Sequence, residues 1–476
     1  MKKILFIVVC CFLFIPLSAQ KLFLAPKEEI NLRIDDFAVI GKYKQSTLVY
    51  KKSNEDAEII FYDTKMNLEK RLALDFLPSH FSSLKCVCNE DNLRVFFEVK
   101  ENKKQNLYAT KYIADNNWTT PILINTKPVS FIKNYEPFDI AVSENEDYAM
   151  FYSSYFLNGD NTVQLVVVDN NLKITTEVNQ IFTEKSFYIT SDASVSNTGI
   201  PFLIVTDKMS NRGNAEVVNI FTAMNSSSNF LIFPILLENH VLSDIHLKLD
   251  NKNNNLYVAS FFADGKYSNP RGVFYSIFNI QNQQTSATHF IPLALQITKN
   301  NSGLKDLKMK DITIKSNGGI EIATEKYFKN MRTINSINPI FNSAFASTSN
   351  SSQTVTEFSY DEIVLFNIKT DGSLNWSQTI LKEQMSTDDG GIYSSFAPFL
   401  HRNGIAYIFN DMSTKESRLL ASYITSKGEM TMKEIQTDED MDSWNLMPRS
   451  AVQISNSEIV MPCLLKNHLS FLKIIF

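Results

Sequence analysis

The residues that could do chemistry in this chain are scattered and form no known catalytic motif. The six histidines lack the His-x-His or His-Glu-x-x-His spacing of metal sites. The sequence also lacks a Gly-x-Ser-x-Gly nucleophile elbow and a Walker-type phosphate loop. We therefore interpret each histidine as a surface or loop residue, and we predict no catalytic residue, no metal site and no cofactor. The histidines are His80, His240, His246, His289, His401 and His468.

Two acidic stretches are the remaining candidates for ion binding. Residues 438–442 (Asp-Glu-Asp-Met-Asp) could offer carboxylates to Ca²⁺, but they lack the alternating ligands and the turn glycine of a calcium loop. Residues 388–391 (Asp-Asp-Gly-Gly) have the composition of a turn. We interpret the first stretch as a solvated acidic loop and the second as a turn.

A further set of polar residues is defined by position rather than by motif. Each stands at or just before the predicted first strand of a repeated unit, where a ring-shaped fold would bring all of them to one face. Acids, aromatics and an arginine in such a ring could hold a polar ligand such as a glycan. The alternative is that they are ordinary loop residues with no common ligand. The candidates are His80, Glu136, Tyr188, Asp244, Asp311, Tyr393 and Arg449.

The elements that must position these residues are repeated hairpins. In each repeat an apolar run meets a turn rich in Asp, Asn, Gly or Lys, and a second alternating run follows, which is typical of an antiparallel hairpin. Recurrence every 45–60 residues or so, with about four strands per unit, predicts a β-propeller. The clearest hairpins are IIFYDTKMNLEKRLAL (59–74), LVVVDNNLKITTEV (165–178), LFNIKTDGSLNWSQTI (365–380) and YITSKGEMTMKEI (423–435).

Eight such units are recognised, which predicts a single all-β propeller of about eight four-stranded blades, with seven as the alternative. The last unit holds only three strands, and an unassigned strand lies near residues 27–33. We expect this N-terminal strand to pair with the strand near residues 470–475 and to close the last blade. A pair of separate β-sandwiches is disfavoured because no Pro/Gly/Ser-rich linker divides the chain. The units span about 36–77, 81–124, 138–182, 188–234, 243–292, 310–380, 394–437 and 449–476.

The N-terminus predicts the compartment. Lys2 and Lys3 precede an apolar run of about 14 residues, and small residues follow near Ala19, as in a secretory signal peptide. The run is shorter than the roughly 20 residues of a spanning helix. We therefore expect a signal peptide at 1–19, a propeller domain at 20–476, and an exported protein located in the periplasm, at the cell surface or outside the cell.

Composition and cysteine usage agree with an exported globular β-protein. The chain is 44% hydrophobic and contains 35 Phe and 18 Tyr, which favours strands and a large core. Its net charge of −5 gives no basic field for nucleic acid. Cys86 and Cys88 lie two apart on one predicted strand, too far apart for an easy bridge, so we expect them not to be bonded to each other.

The segment DEIVLFNIKTDGSLNWSQTI (361–380) resembles the repeat of secreted bacterial seven-bladed propellers, in which an apolar strand runs into an Asp-Gly turn and then a Leu and an aromatic residue. Its Asp371-Gly372 turn with Leu374 and Trp376 also resembles the blade motif of quinoprotein-like and outer-membrane-assembly propellers. The other units keep the hydrophobic spacing without the Gly and Trp. The resemblance implies a propeller fold and export, and it carries over no catalytic residue.

The sixth unit is lengthened by a Ser/Asn/Thr-rich insertion at about 329–360. Such a composition buries little apolar area by itself, so we expect a disordered loop, with a lid or partner contact as the alternative. The insertion would join the second and third strands of its blade and lie on the same face as the candidate residues.

Two functional classes follow from these features. The preferred one is an exported, non-catalytic binding or scaffolding propeller that contacts a protein or a glycan through its loop face and acts as a monomer. The alternative is a propeller-fold carbohydrate-active enzyme, a glycoside hydrolase or lyase. Glycosidases need two carboxyl groups about 5–9.5 Å apart, so the placement of Glu136, Asp244 and Asp311 discriminates between the classes.

Overall fold

The computed structural model describes most of the chain after the predicted signal peptide. That peptide, Glu136 and the acidic stretch 438–442 lie outside the described residues. No helix in the described part is long and apolar enough to span a membrane. The described residues are 20–53, 56–129, 137–157, 160–183, 188–206, 213–224, 227–293, 304, 306–339, 348–402, 404–412, 418–436 and 443–476.

The described chain is built almost entirely of antiparallel strands, arranged in eight sheets that follow the eight units of the sequence. The first sheet contains β3 (Asp36–Tyr43), β4 (Ser46–Ser53), β5 (Asp56–Tyr62) and β6 (Leu68–Ala73). The second contains β7 (Phe81–Cys88), β8 (Leu93–Glu101), β9 (Lys104–Ala114), β10 (Asn117–Trp118) and β11 (Ile122–Pro128). The third contains β12 (Asp139–Val142), β13 (Ala149–Leu157), β14 (Asp160–Val168) and β15 (Ile174–Phe182).

The next three sheets have the same order. The fourth contains β16 (Tyr188–Val195), β17 (Pro201–Thr206), β18 (Val218–Thr222) and β19 (Leu231–Pro234). The fifth contains β20 (Val241–Asp250), β21 (Asn255–Ala263), β22 (Gly272–Asn279) and β23 (Gln284–Pro292). The sixth contains β24 (Leu307–Ile314), β25 (Ile320–Pro339), β26 (Thr348–Ile368), β27 (Leu374–Ile380) and β28 (Gln384–Thr387).

The last two sheets complete the chain. The seventh contains β29 (Phe396–His401), β30 (Gly404–Asp411), β31 (Arg418–Thr425) and β32 (Met430–Glu434). The eighth contains β33 (Asn445–Leu446), β34 (Val452–Gln453), β35 (Glu458–Leu465) and β36 (His468–Ile475), and the N-terminal strands β1 (Lys21–Leu24) and β2 (Glu28–Glu29) join it. A short 3₁₀ helix, Pro448–Ser450, precedes β34.

The core lies between the sheets. Every residue of β14 from Val163 to Val168 is at most 3% exposed, whereas all five residues of the outer strand β32 are exposed. A central strand needs apolar residues on both faces because a neighbouring sheet covers each face. Eight buried clusters each combine residues of two neighbouring sheets. The sheets therefore pack in series as propeller blades, which confirms the predicted all-β propeller.

The N-terminal strands link the two ends of this series. Glu28 and Glu29 pair with Leu469 and His468, and the longer pairing joins residues 21–24 to residues 472–475. The predicted N-terminal strand is therefore in the expected sheet, but most of the pairing lies upstream of residues 27–33. One cluster packs residues of the last sheet, such as Phe471, against the first sheet.

The Asp-Gly turn of the sixth sheet shows why glycine is needed there. Gly372 has a φ of +85°, a left-handed conformation that disfavours side chains. A Cβ atom at this position would collide with the imidazole of His289 in the neighbouring sheet. The turn thus combines a backbone requirement with a close contact between sheets.

The insertion of the sixth unit differs from the expected disordered loop. Its two arms continue β25 and β26 as a paired ribbon, with Asn330 opposite Glu357 and Pro339 opposite Thr348, and residues 340–347 lie outside the described part. Backbone hydrogen bonds stabilise a ribbon without requiring apolar side chains, so composition alone did not reveal it. β28 pairs with the base of this ribbon at residues 357–360.

Candidate functional site

The irregular first strands of the fourth, fifth and sixth sheets build a highly charged cavity wall. In β16, β20 and β24 the pairing register shifts near Asp192, Asp244 and Lys310. Bulges of this kind redirect side chains away from the regular alternation. Because these three first strands are neighbours in contact, their redirected polar side chains meet in one place.

His246 lies between two of these carboxylates. Its Nδ1 is 2.8 Å from Oδ2 of Asp192, and its Nε2 is 3.3 Å from Oδ1 of Asp244. Burial by itself lowers the pKa of His246, but the hydrogen bonds and charges of the two aspartates outweigh it and raise the pKa to about 9. The imidazole is therefore a protonated cation at neutral pH, with both nitrogens engaged as donors.

The two aspartates also accept hydrogen bonds from the backbone of neighbouring strands. The N–H of Leu247 donates to Oδ2 of Asp192 at 3.0 Å, and the N–H of Met309 donates to Oδ2 of Asp244 at 2.6 Å. Burial raises the pKa of Asp244, but the bonds to His246 and Met309 outweigh it and hold the pKa below its usual range. Through these hydrogen bonds Asp192 ties β16 to β20, and Asp244 ties β20 to β24.

A cavity of about 230 Å³ opens beside this hydrogen-bonded group of Asp192, His246 and Asp244. Asp311 borders it and accepts a hydrogen bond from the Thr313 hydroxyl at 3.1 Å. The wall offers cationic donors and carboxylate acceptors within a small volume. Its lining residues are Asp192, His246, Leu247, Lys248, Lys310, Asp311 and Ile312.

Lys310 extends this charged wall into the sixth sheet. Its Nζ lies 3.6 Å from Oε2 of Glu325, a carboxylate that is fully buried. The nearly buried Lys382 is closer, with its Nζ 2.8 Å from the other oxygen of Glu325. The Ser395 hydroxyl also donates to Glu325 at 2.6 Å. Glu325 is therefore neutralised mainly by Lys382, and Lys310 is a second cation beside the same carboxylate.

A tyrosine lies between Lys310 and Arg449. The Lys310 Nζ and the Arg449 Cζ are each 5.8 Å from the centroid of the Tyr360 ring. The Nη1 of Arg449 donates to the Tyr360 hydroxyl at 2.7 Å, and the Tyr327 ring packs against Tyr360 at 4.8 Å. Contacts thus run continuously from the fourth sheet, through the fifth and sixth, to the 3₁₀ helix of the eighth.

The structure brings together some of the seven sequence-predicted residues. Asp311 lines the cavity, and Asp244 holds His246 beside it. Arg449 is connected to them through its contacts with Tyr360 and, beyond it, Lys310. Tyr393 precedes the seventh sheet, where its carbonyl accepts a hydrogen bond from Asn410. That these residues bind a ligand remains a prediction.

The other predicted residues are not part of this arrangement as described. His80 is exposed in the turn before β7, in the second sheet. Tyr188 begins β16, but its side chain lies outside the described part. Glu136 is not among the described residues, so no role for it can be placed on the structure.

Three site residues were missed in the sequence. His246 was interpreted as a surface or loop residue, yet it is held between two aspartates. Asp192 and Lys310 were not singled out. The usable signal was local, since Asp244 and His246 form an Asp-x-His triplet, and Lys310 directly precedes the candidate Asp311. The pairing of Asp192 with His246 depends on the packing of two sheets and has no local signature.

Two larger cavities lie at the opposite ends of the first strands. One of about 350 Å³ is bordered by the turns after β24 and β29, and another of about 640 Å³ by the turn after β3. Glu321, at the first of these, already pairs with Lys315 and accepts a hydrogen bond from Tyr407. The smaller cavity is the stronger candidate because charged groups of three neighbouring strands converge on it.

Comparisons with known proteins indicate fold similarity only. No protein-family model matches the sequence, and no curated protein shows significant similarity to it. The structure is similar to a prolyl endopeptidase, with 9% identity, a TM-score of 0.44, and coverage of 92% of this chain and 55% of that one. For prolyl oligopeptidase B from Galerina marginata the identity is 8%, the TM-score 0.43, and the coverage 91% and 55%.

A polysaccharide lyase, an ulvan lyase, is a third similar structure. Its identity is 10% and its TM-score 0.38, over 81% of this chain and 90% of that one. The present chain spans about half the length of the two prolyl peptidases. At such identities the likeness concerns the arrangement of strands, so function has to be argued from the residues of this chain.

Proposed function

We propose that this protein is a non-catalytic binding propeller that holds a glycan in the cavity between β16, β20 and β24. The supporting observation is the wall of that cavity, in which donors and acceptors are fixed by one another. A hydroxyl-rich ligand needs both kinds of group, and it gains affinity when they are already in place.

The lining offers both kinds of polar group that sugar hydroxyls need. Lys248 and Lys310 can donate to sugar oxygens, and Asp311 can accept from hydroxyl groups. Leu247 and Ile312 are buried in the clusters between the sheets, so the ligand would be held mainly by polar contacts. A volume of about 230 Å³ suits a single sugar unit, so the ligand would be held at one residue of a longer glycan.

The hydrolase alternative is less well supported by the same geometry. A glycosidase needs one carboxyl group free to protonate the leaving group and a second free to act as base or nucleophile. Both oxygens of Asp244 are engaged, by His246 and by the backbone of Met309. Oδ2 of Asp192 is engaged by both the His246 imidazole and the N–H of Leu247. Carboxylates fixed in this way act as supports rather than as acid catalysts.

The N-terminal segment bears on where the protein acts. The predicted signal peptide at 1–19 supports a protein exported to the periplasm, the cell surface or the medium, where extended glycans are accessible. The acidic net charge of −5 supports the absence of a nucleic-acid partner. We propose that the mature chain acts as a monomer, with a glycan as the partner of the cavity.

The test is binding to an array of bacterial, algal and plant oligosaccharides. We expect at least one glycan to bind, and Lys248→Ala to weaken that binding about tenfold, which corresponds to roughly 1.4 kcal/mol. Lys252→Ala is the matched control, because Lys252 is exposed in the turn that follows the same strand. Absence of binding to every glycan would overturn the proposal. Release of shorter sugars during incubation would replace it with the enzymatic alternative.

A further inference from the structure

Three cations lie around Tyr360 and its neighbour Glu325. Lys310, Lys382 and Arg449 are each in contact with Tyr360 or with Glu325. A cation without a carboxylate partner of its own favours a ligand of the opposite sign.

The nearby acids are occupied elsewhere. Lys326 lies within 4.0 Å of both Asp361 and Glu362. Asp389 accepts hydrogen bonds from the Ser386 hydroxyl and from the N–H of Gly391. Asp361 and Glu362 therefore share a cationic partner, Lys326, and none of the three carboxylates forms an ion pair with Arg449 in the described part of the chain.

Arg449 has no carboxylate partner in the described part of the chain. Its guanidinium donates to the Tyr360 hydroxyl and, at 3.3 Å, to the carbonyl of Gly390, and the residue is exposed. Both acceptors are neutral, since burial raises the pKa of Tyr360 and keeps its phenol protonated. An exposed guanidinium held by two neutral acceptors retains its charge and free N–H groups for an anion.

Lys310 connects this place to the sugar cavity. It lines the cavity, and its Nζ lies 5.8 Å from the ring centroids of both Tyr327 and Tyr360. A glycan with one sugar in the cavity would therefore extend past Lys310 toward Arg449. Because Tyr360 itself is buried, the groups available to that extension are the two cations near its ring.

We propose that the glycan is acidic, and that its carboxylate or sulfate group is held by Arg449, with Lys310 as a second cation beside the cavity. This inference rests on the proposed glycan-binding function and specifies the class of glycan. Arg449 supplies a planar, two-pronged donor for the anionic oxygens, and Lys310 supplies a compact point charge. The Tyr360 hydroxyl positions Arg449 by accepting a hydrogen bond from it.

The test compares matched pairs of oligosaccharides. Uronic acid oligosaccharides are measured beside the same compounds with their carboxyl groups reduced, and sulfated ones beside their desulfated forms. We expect the wild-type protein to bind an acidic member at least tenfold more tightly than its neutral partner, with affinity falling as salt rises. Equal binding of both members would overturn this inference while leaving the glycan-binding function intact.

Substitution of Arg449 and Lys310 tests whether these two cations cause the preference for acidic oligosaccharides. Arg449→Gln and Lys310→Gln should each remove most of the acidic preference. Arg402→Gln is the control, because Arg402 is exposed next to the 350 Å³ cavity beside the turn after β29. A preference that survives both Gln variants would contradict the inference.

Inorganic sulfate is measured as a further ligand, to distinguish a site for small free anions from a site for a glycan. We expect sulfate to compete weakly, at millimolar concentration, with the acidic oligosaccharide. Sulfate binding that depends on Arg449, without binding of any oligosaccharide, would remove the glycan-binding function and identify a small-anion site. Failure of sulfate and of every oligosaccharide to bind would remove both proposals.

Discussion

The Nζ of Lys51 lies 2.8 Å from Oε2 of Glu28, and this contact joins the first sheet to the N-terminal strand of the last one. Arg71, also in the first sheet, donates to the other oxygen of Glu28. The Glu28 side chain is only 6% exposed. An ion pair at this place therefore reinforces the backbone pairing by which β2 joins β36.

Replacing Glu28 should consequently loosen the junction of the two ends. We expect Glu28→Gln to lower the free energy of unfolding by about 2–4 kcal/mol, because two cations lose a buried partner. Glu29→Gln is the control, since the neighbouring Glu29 is exposed and should change stability by less than about 0.5 kcal/mol. Urea unfolding of both variants tests the expectation, which equal effects at the two positions would refute.

The same carboxylate should contribute to acid sensitivity. Burial raises the pKa of Glu28, but the hydrogen bonds and charges of Lys51 and Arg71 outweigh it and hold the pKa below its usual range. The stability it provides is thus fully present above the unfolded-state pKa of about 4.3 and is lost as the pH falls through the lowered folded-state pKa. Compared with Glu28→Gln, the wild-type protein should lose its advantage in this acid range.

His246 should make the free energy of unfolding depend on pH in the opposite direction, so that stability falls as the pH rises. Its folded-state pKa of about 9 exceeds the unfolded value of about 6.5. The stabilisation is therefore complete below pH ~6.5 and is lost as the pH rises through 9. With the side chain 31% exposed, we expect a loss on the order of 2 kcal/mol over this interval.

Urea unfolding at several pH values between 6.5 and 9 measures this effect. His246→Gln should remove the slope that the histidine causes, whereas His80→Gln, at an exposed turn position, should keep it. The charged groups around His246 are Asp192, Asp244, Lys248, Lys310 and Asp311. A slope that is unchanged in His246→Gln would show that another group titrates there.

The sequence predicts the sheets well because their signal is local. The unit proposed at 188–234 coincides with β16–β19, and the unit at 138–182 agrees with β12–β15 to within a residue. Each central strand is a short apolar run bounded by turn residues, and burial between two sheets requires such a run. Pairing of the N-terminal strands with β36 followed from counting strands in the final unit.

The candidate site was less predictable because it depends on register. Asp244, Asp311 and Arg449 were found by their position at the start of a unit, but their partners were not. Whether Asp192 reaches His246 depends on bulges in two first strands and on the packing of one sheet against the next. A shift of one residue in either strand would turn these side chains to the other face.

The ribbon formed by β25 and β26 should be dispensable for folding. Beyond residues 333 and 354 the described backbone pairing of its two strands is with each other. We expect replacement of residues 334–353 by an Asn-Gly turn to leave the thermal unfolding midpoint nearly unmoved, because Thr333 and Thr354 form a directly opposed pair that a two-residue turn can join. Calorimetry measures the midpoint.

The buried Val355 at the base of the ribbon provides the contrast. It is 8% exposed, so Val355→Ser should destabilise the protein by about 1–2 kcal/mol. If the shortened ribbon instead unfolds the protein, the ribbon is part of the core. If the shortened protein is stable but binds glycan differently, the ribbon contributes to the ligand-binding face.

Removing β36 should prevent folding altogether. This strand is hydrogen-bonded on one side to β35 and on the other to β1 and β2, so its loss exposes two strand edges at once. Leu469, Phe471, Leu472 and Ile474 are each at most 1% exposed. At about 1.5–3 kcal/mol for each buried side chain, their loss amounts to roughly 6–12 kcal/mol, comparable to the whole stability of a typical domain, about 5–15 kcal/mol. We expect a chain truncated after Leu465 to lack a cooperative unfolding transition by calorimetry and to aggregate.

Removal of Phe476 alone is the control. It leaves β36 complete and loses mainly the stacking on Phe399 at 4.4 Å, so it should keep a cooperative transition at a slightly lower temperature. A cooperative transition in the longer truncation would mean that the propeller is stable without its last strand.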